Sequence, residues 1–147
     1  MKSEPLKKTA WNLALMGFLP FAVLSIAMLV LGPQHPLFDV LGDAFRLYSA
    51  VILSFLGGIR WGLALNTEPA SPRTIAVSVV PAIIGWLAMF IPPVFSVGVL
   101  LLAFCAQGAW DSTAFHAGKG PIWFARLRIV LTLLVAGAHV VALLALK

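Results

Sequence analysis

The sequence predicts an all-α fold, a polytopic membrane helix bundle of about five transmembrane helices. Hydrophobic residues make up 61% of the 147 residues and charged residues only 10%, whereas about a quarter of the residues in a soluble domain are charged. Apolar runs fill nearly the whole chain between short breaks of proline, glycine and charged residues. We therefore expect a single membrane-embedded helical domain over residues 1–147, with the lipid bilayer as its main solvent.

The breaks divide the chain into pieces long enough to cross a membrane, since a hydrocarbon core of about 30 Å needs about 20 helical residues. The five predicted spans are 10–32, 44–66, 74–91, 94–114 and 122–146. The apolar run 13–31 is longer than the core of a signal peptide, so we interpret it as a retained first helix. Only Pro92-Pro93 separates the third span from the fourth, and four spans with one re-entrant hairpin are the alternative.

Two of these spans contain a proline near the middle, Pro20 in the first and Pro81 in the third. Proline has no backbone N–H and leaves the carbonyl four residues earlier without its helical donor. The sequence therefore predicts a kink in each of these helices.

The basic residues predict an orientation, because lysine and arginine are enriched on the cytoplasmic side of membrane proteins. Alternate ends of the predicted spans carry Lys2, Lys7, Lys8, Arg73, Lys119, Arg126 and Arg128, whereas the other ends carry only Arg46 and Lys147. This asymmetry predicts an N-in/C-out protein. Tryptophan side chains favour the headgroup level, and we interpret those near the predicted cytoplasmic ends as interface anchors: Trp11, Trp61, Trp110 and Trp123.

Small residues recur every four positions in the second span, at Ala50, Ser54, Gly58 and Gly62. Residues four apart lie on nearly the same face of a helix, and small side chains let two membrane helices approach closely. The pattern predicts a helix-packing stripe. The alternative is a substrate groove with a glycine floor.

Three charged residues of three different spans are predicted to lie at similar depth near the cytoplasmic side, Arg60, Asp111 and Arg128, and Gln107 lies four residues before Asp111. Gln107 and Asp111 share a helix face, while Arg60 and Arg128 each lie about 9 Å inside the membrane boundary. Because an unpaired charge is costly in a membrane, we expect these residues to form one polar cluster. The alternatives are that Arg60 snorkels to the surface and that Asp111 merely ends its helix.

Catalytic and nucleic-acid-binding functions are poorly supported. A serine–histidine–aspartate relay would need Ser54, His139 and Asp111 within hydrogen-bonding distance, but their predicted depths differ. We therefore expect no catalytic residues and interpret His139 as a hydrogen-bonding residue between helices. The net charge of +5 forms no continuous basic stripe. The single Cys105 and the scattered carboxylates show no metal-ligand spacing, so neither a metal nor a cofactor is expected.

One segment of the second span, LYSAVILSFLGGIRWG at 47–62, resembles the signature of the uncharacterised family of domain of unknown function 3429. The resemblance extends to Pro81 and Gly85-Trp86, to Gln107 and Asp111, and to WFARLR at 123–128. That family includes bacterial inner-membrane proteins and the mitochondrial transmembrane protein 69. The resemblance implies a small multi-pass protein of the bacterial inner (plasma) membrane and implies no activity.

Two functions fit these observations. The first is a non-enzymatic membrane protein that assembles with, or assists, another membrane complex, since the loops are short and the second span carries a packing stripe. Its partner would be another membrane protein or a second copy of the chain, and not a nucleic acid. The second is a small transporter or ligand-binding bundle, because ionisable residues within a membrane often mark a binding site or pathway.

Overall fold

In the computed structural model, which describes residues 3–66, 71–118 and 121–147, the chain forms a helical bundle with no β-strand in these three ranges. The helices are α1 (Ser3–Leu31), α2 (Phe38–Leu65), α3 (Pro72–Ser78), α4 (Val80–Ala88), α5 (Pro93–His116) and α6 (Ile122–Ala145). The all-α prediction is confirmed. Lys2 and Lys119 of the predicted basic side lie outside the described residues.

Four of the helices, α1, α2, α5 and α6, are long and apolar enough to cross a membrane. They correspond to four of the five predicted spans. The second of them begins at Phe38 and not at residue 44, so the acidic Asp39 and Asp43 lie in its first turns. Carboxylates are favourable there because the N-terminus of a helix carries a partial positive charge.

The predicted third span is a shorter apolar segment, Pro72–Ala88, interrupted at Val79. Its two helices have 7 and 9 residues. The interruption lies just before Pro81, which cannot donate the hydrogen bond that would continue the helix to the carbonyl of Val77. By contrast, α1 continues through Pro20 as one helix.

The α3–α4 segment runs antiparallel to α2 and does not fold back as a hairpin. Ser78 lies beside Gly57 and Gly85 lies beside Ala50. Farther along, Arg46 Nη1 donates to the carbonyl oxygen of Ile91 at 3.2 Å. Residue numbers increase along α3–α4 while the residue numbers of the α2 partners decrease. The two helices α3 and α4 therefore make one pass along the bundle together.

The helices form a closed ring in which α1 packs against α2 and α6, α6 against α5, α5 against α4, and α4 against α2, while α2 and α5 also contact each other across the ring. The buried core includes Phe21, Phe45, Leu53, Leu100 and Phe104. The first helix lies at the periphery, and none of its residues from Glu4 to Pro20 is fully buried. We call the end where α1, α3 and α6 begin the N-terminal side.

The two ends of the predicted small-residue stripe have different surroundings within this chain. Ala50 packs closely against Gly85, but a methyl group at Gly58 or Gly62 would meet no atom within 4 Å. At about 100° per residue, each step of four residues rotates about 40° beyond a full turn, so three steps carry the stripe about 120° round the helix. Gly57 takes the place predicted for Gly58, since a side chain there would overlap the Ser78 carbonyl.

Candidate functional site

The four polar residues predicted from the sequence lie together on the N-terminal side, where α2 and α5 end and α6 begins. Arg128 Nε donates to Asp111 Oδ2 at 2.8 Å, and Gln107 Nε2 donates to Asp111 Oδ1 at 3.1 Å. Arg60 Nε lies 3.8 Å from Asp111 Oδ1. Asp111 is therefore the centre of this group, which we call the polar cluster.

Every residue of the polar cluster is buried, with Arg60 and Arg128 4% exposed and Gln107 and Asp111 3% exposed. At that exposure Arg60 does not reach the surface, so the snorkelling alternative does not describe its position. Asp111 does not end its helix either, because α5 continues to His116. The helices instead bring their polar side chains inward, as expected where lipid cannot solvate them.

The tryptophan next to Asp111 also belongs to this region. The guanidinium carbon of Arg60 lies 4.2 Å from the centre of the Trp110 ring, a distance at which the ring face attracts a cation. Interpreting Trp110 only as an interface anchor missed this contact. Its position in the chain beside Asp111, at the depth of Arg60, was the available signal.

The polar cluster holds more positive than negative charge. Two arginines face one aspartate, which leaves a formal charge of +1. Arg60 Nε is buried and has no hydrogen-bond partner among the described residues. A charge at the bilayer centre costs about 2.5 to 3.5 kcal/mol on insertion scales, so an excess cation held below the surface favours an anion beside it.

A partly open cavity of about 370 Å³ adjoins the polar cluster and is lined mainly by α1, α2 and α6. Its lining residues are Ala10, Leu13, Ala14, Gly17, Phe18, Phe21, Ile52, Phe55, Leu56, Ile59, Phe104, Phe124, Leu127, Arg128, Leu131, Thr132 and Val135. Among these, only Arg128 and Thr132 have polar side chains, and the Thr132 hydroxyl donates to the Arg128 carbonyl at 2.7 Å. Arg128 is thus the residue that joins the cavity to the polar cluster.

Comparison with known proteins places the chain in a family. The model of the family described as "Protein of unknown function (DUF3429)" matches residues 6–144. The chain belongs to the DUF3429 family. This confirms the resemblance of the segment at 47–62, and with the long apolar helices it identifies a multi-pass membrane protein.

Relatives of this DUF3429 protein include two vertebrate proteins named transmembrane protein 69. The Xenopus tropicalis protein is 34% identical over 135 residues, which cover 90% of this chain and 51% of that protein. The Mus musculus protein is 33% identical over 140 residues, which cover 93% of this chain and 56% of that protein. The chain therefore spans about half the length of the curated relatives it matches. No solved structure matches it.

His139 lies away from the polar cluster, in the middle of the bundle of this DUF3429 protein. Its Nε2 atom lies 3.3 Å from Ser49 Oγ on α2, and its Nδ1 atom lies 2.8 Å from the Val135 carbonyl. The ring is fully buried beside Phe21, Phe45 and Phe104. His139 thus contacts a neighbouring helix, but its partner Ser49 was missed because sequence alone does not show which helix faces it.

The three residues considered for a catalytic relay are not assembled. Ser54 donates to the Ala50 carbonyl at 2.8 Å, while His139 contacts Ser49 and Asp111 contacts the two arginines. Among the residues of the three described ranges, no group of three histidine, cysteine, aspartate or glutamate side chains could hold a metal ion.

Proposed function

We propose that this DUF3429 protein is a non-enzymatic membrane protein that binds a small amphipathic molecule in the cavity between α1, α2 and α6. The observation that carries this proposal is the apolar cavity of about 370 Å³ that reaches the polar cluster at Arg128. Binding pockets of about 300 to 1,000 Å³ with mostly apolar walls and a few polar groups are typical of small-molecule sites. The second of the two functions considered from the sequence is therefore the one we favour.

The position of the cavity suits a ligand that is dissolved in the bilayer. Leu13 of α1 and Phe55 of α2 both line it, and each is 63% exposed on the surface of the bundle. The cavity thus opens toward the lipid-facing surface of the bundle beside these two residues. No residue of α1 from Glu4 to Pro20 is fully buried, and the Tyr48 hydroxyl, which donates to the Gly17 carbonyl at 2.8 Å, joins this half of α1 to α2.

Filling the cavity tests the proposal. We expect the wild-type protein, extracted in mild detergent, to carry a bound small molecule detectable by mass spectrometry. Ala14→Phe should remove it, since Ala14 lines the cavity. The matched control is Ala106→Phe, because Ala106 is exposed on α5 outside the cavity. Equal bound material in wild type and both variants would overturn the proposal.

Assembly with another membrane protein is the second candidate, favoured by the open space at Gly58 and Gly62. Glycines facing the lipid allow a further helix to approach closely. The same extraction distinguishes the candidates, since an assembly protein would co-purify with a protein partner or as an oligomer. In that case Gly58→Leu should release the partner while leaving the melting temperature of the isolated chain unchanged.

For the orientation we propose N-in/C-out, and for the location the bacterial plasma membrane suggested by the family resemblance. Four basic residues on the N-terminal side, Lys7, Lys8, Arg73 and Arg126, support that orientation. A reporter that works only in the cytoplasm should be active when fused before residue 10 or at Gly118, and inactive after Lys147. A reporter that is active in the cytoplasm after Lys147 would overturn the orientation.

A further inference from the structure

Resting on the proposed function, we infer that the ligand is a single-chain carboxylic acid whose carboxylate pairs with Arg128 and whose chain extends between α1 and α6 toward Phe21 and Phe104. The juxtaposition behind this inference is one arginine at the border between a polar cluster of excess positive charge and an otherwise apolar cavity.

The charge of the ligand follows from the partners of Arg128. Its side chain makes one hydrogen bond within the described part of the chain, from Nε to Asp111, although a guanidinium has five N–H donors. Asp111 also faces Arg60 and accepts from Gln107, so its single negative charge is shared between two cations. A carboxylate in the cavity would supply the second anion in the planar form that arginine binds best.

The size of the ligand follows from the volume of the cavity and the burial of Arg128. About 370 Å³ lies near the lower end of the range for ligand pockets, which suits one unbranched chain better than the paired chains of a phospholipid. Arg128 is only 4% exposed, so a head group can reach it only through the cavity. A compact carboxylate fits that approach, whereas a large phospholipid head group does not.

The direction of the chain follows from the position of Arg128 along the lining of α6. The lining extends from Arg128 toward the N-terminal side only to Phe124, about 6 Å away along the helix. In the other direction it continues to Val135, about 10 Å away. Phe21 and Phe104 also line the cavity and contact the His139 ring, one turn beyond Val135. The longer apolar part lies toward the middle of the bundle, which places the carboxylate nearer the surface.

A head-group series tests the inference on the wild-type protein. The protein is stripped of lipid in non-ionic detergent and titrated, under native mass spectrometry, with octanoic acid, with the corresponding alcohol and with the corresponding amine. Because a charge-assisted pair is added only by the acid, we expect the acid to bind at least about tenfold more tightly than the other two. Equal binding of acid and alcohol, or tighter binding of the amine, would overturn the inference.

The same series separates this inference from the proposed function. If all three amphiphiles bind equally to the wild type and none binds to Ala14→Phe, the cavity binds ligands and only the carboxylate assignment fails. If no amphiphile binds to the wild type more tightly than to Ala14→Phe, both fail.

A pair of arginine substitutions two positions apart assigns the carboxylate to its partner. Arg128→Gln should reduce the preference for the acid over the alcohol from about tenfold to about onefold while the alcohol still binds. Arg126→Gln is the matched control, because Arg126 is exposed on the same helix and does not line the cavity. Loss of acid preference in both variants, or in neither, would overturn the role of Arg128.

Discussion

The bundle holds a buried arginine group at each end, and the two groups differ in charge balance. At the start of α2, Arg46 pairs with Asp43 at 2.6 Å and donates to the Ile91 carbonyl. One cation there faces one carboxylate, and the Asp43 side chain is 67% exposed. At the other end, two arginines share a carboxylate that is almost fully buried. The first group ties the end of the α3–α4 pass to α2, while the polar cluster leaves positive charge beside a cavity.

This difference separates an arginine that serves the fold from an arginine that is available to a ligand. In the Arg46 group the charges balance and solvent reaches Asp43, so the group needs no further anion even though Arg46 Nε, like Arg60 Nε, has no hydrogen-bond partner among the described residues. A buried excess charge gains from a further anion. Replacing the aspartate of each group by asparagine should therefore lower the melting temperature much more at the polar cluster than at Arg46.

The largest effect is expected from Asp111→Asn, which leaves Arg60 and Arg128 buried without their counter-charge. Removing one partner of a buried charge group costs about 3 to 5 kcal/mol. The variant should show a lower melting temperature in detergent and lower abundance in the membrane. A melting temperature equal to that of the wild type would mean that the charges are solvated in another way.

A second substitution should partly repair that loss. Combining Arg60→Gln with Asp111→Asn removes one of the unpaired cations, so the two effects should not add, with a coupling of about 0.5 to 3 kcal/mol. The melting temperatures of both single variants and the double variant measure this coupling. Strict additivity would show that Arg60 and Asp111 do not interact, despite a separation of 3.8 Å.

A smaller effect is expected from Trp110→Leu, which removes the ring beside the Arg60 guanidinium. A cation–π contact contributes about 0.5 to 2 kcal/mol depending on its exposure. The control is Trp86→Leu, since Trp86 is exposed and contacts only the Phe90 ring among the aromatic residues of the described ranges. An equal loss of stability in the two variants would show that Trp110 acts only through its size.

The smallest effect is expected from Asp43→Asn at the opposite end. Ion pairs with an exposed partner contribute about 0 to 1 kcal/mol, and Arg46 keeps the Ile91 carbonyl as an acceptor. The melting temperature should stay close to that of the wild type. A loss as large as that of Asp111→Asn would remove the distinction between the two ends.

Sequence reasoning predicted the members of the polar cluster because helix rise converts position in the chain into depth. Arg60, Asp111 and Arg128 lie at one depth if their helices cross the membrane in turn. Because an unpaired charge is costly in the membrane, contact between these side chains is then favoured. Rotation about each helix axis was harder to predict. The stripe from Ala50 to Gly62 drifts round α2, and only the neighbouring helices select Gly57 over Gly58 for close contact.

The cavity could not be predicted at all, because its shape depends on how α1 leans on α2 and α6. Its lining residues read as ordinary apolar positions in the sequence. The Ser49–His139 contact was missed for the same reason, since it joins residues of α2 and α6 whose facing is set by packing. Local pattern thus determines which elements form, and tertiary packing determines which of their faces meet.

Photolabelling with an octanoic acid analogue that carries a diazirine in the middle of its chain tests most directly whether the cavity holds a single-chain acid. We expect labelled peptides to contain cavity residues such as Phe18 of α1 and Leu131 of α6. Unlabelled octanoic acid should compete for this labelling, and Ala14→Phe should abolish it. Labelling that is confined to lipid-facing residues outside the cavity, such as Leu102, and that is unaffected by either treatment would contradict binding in the cavity.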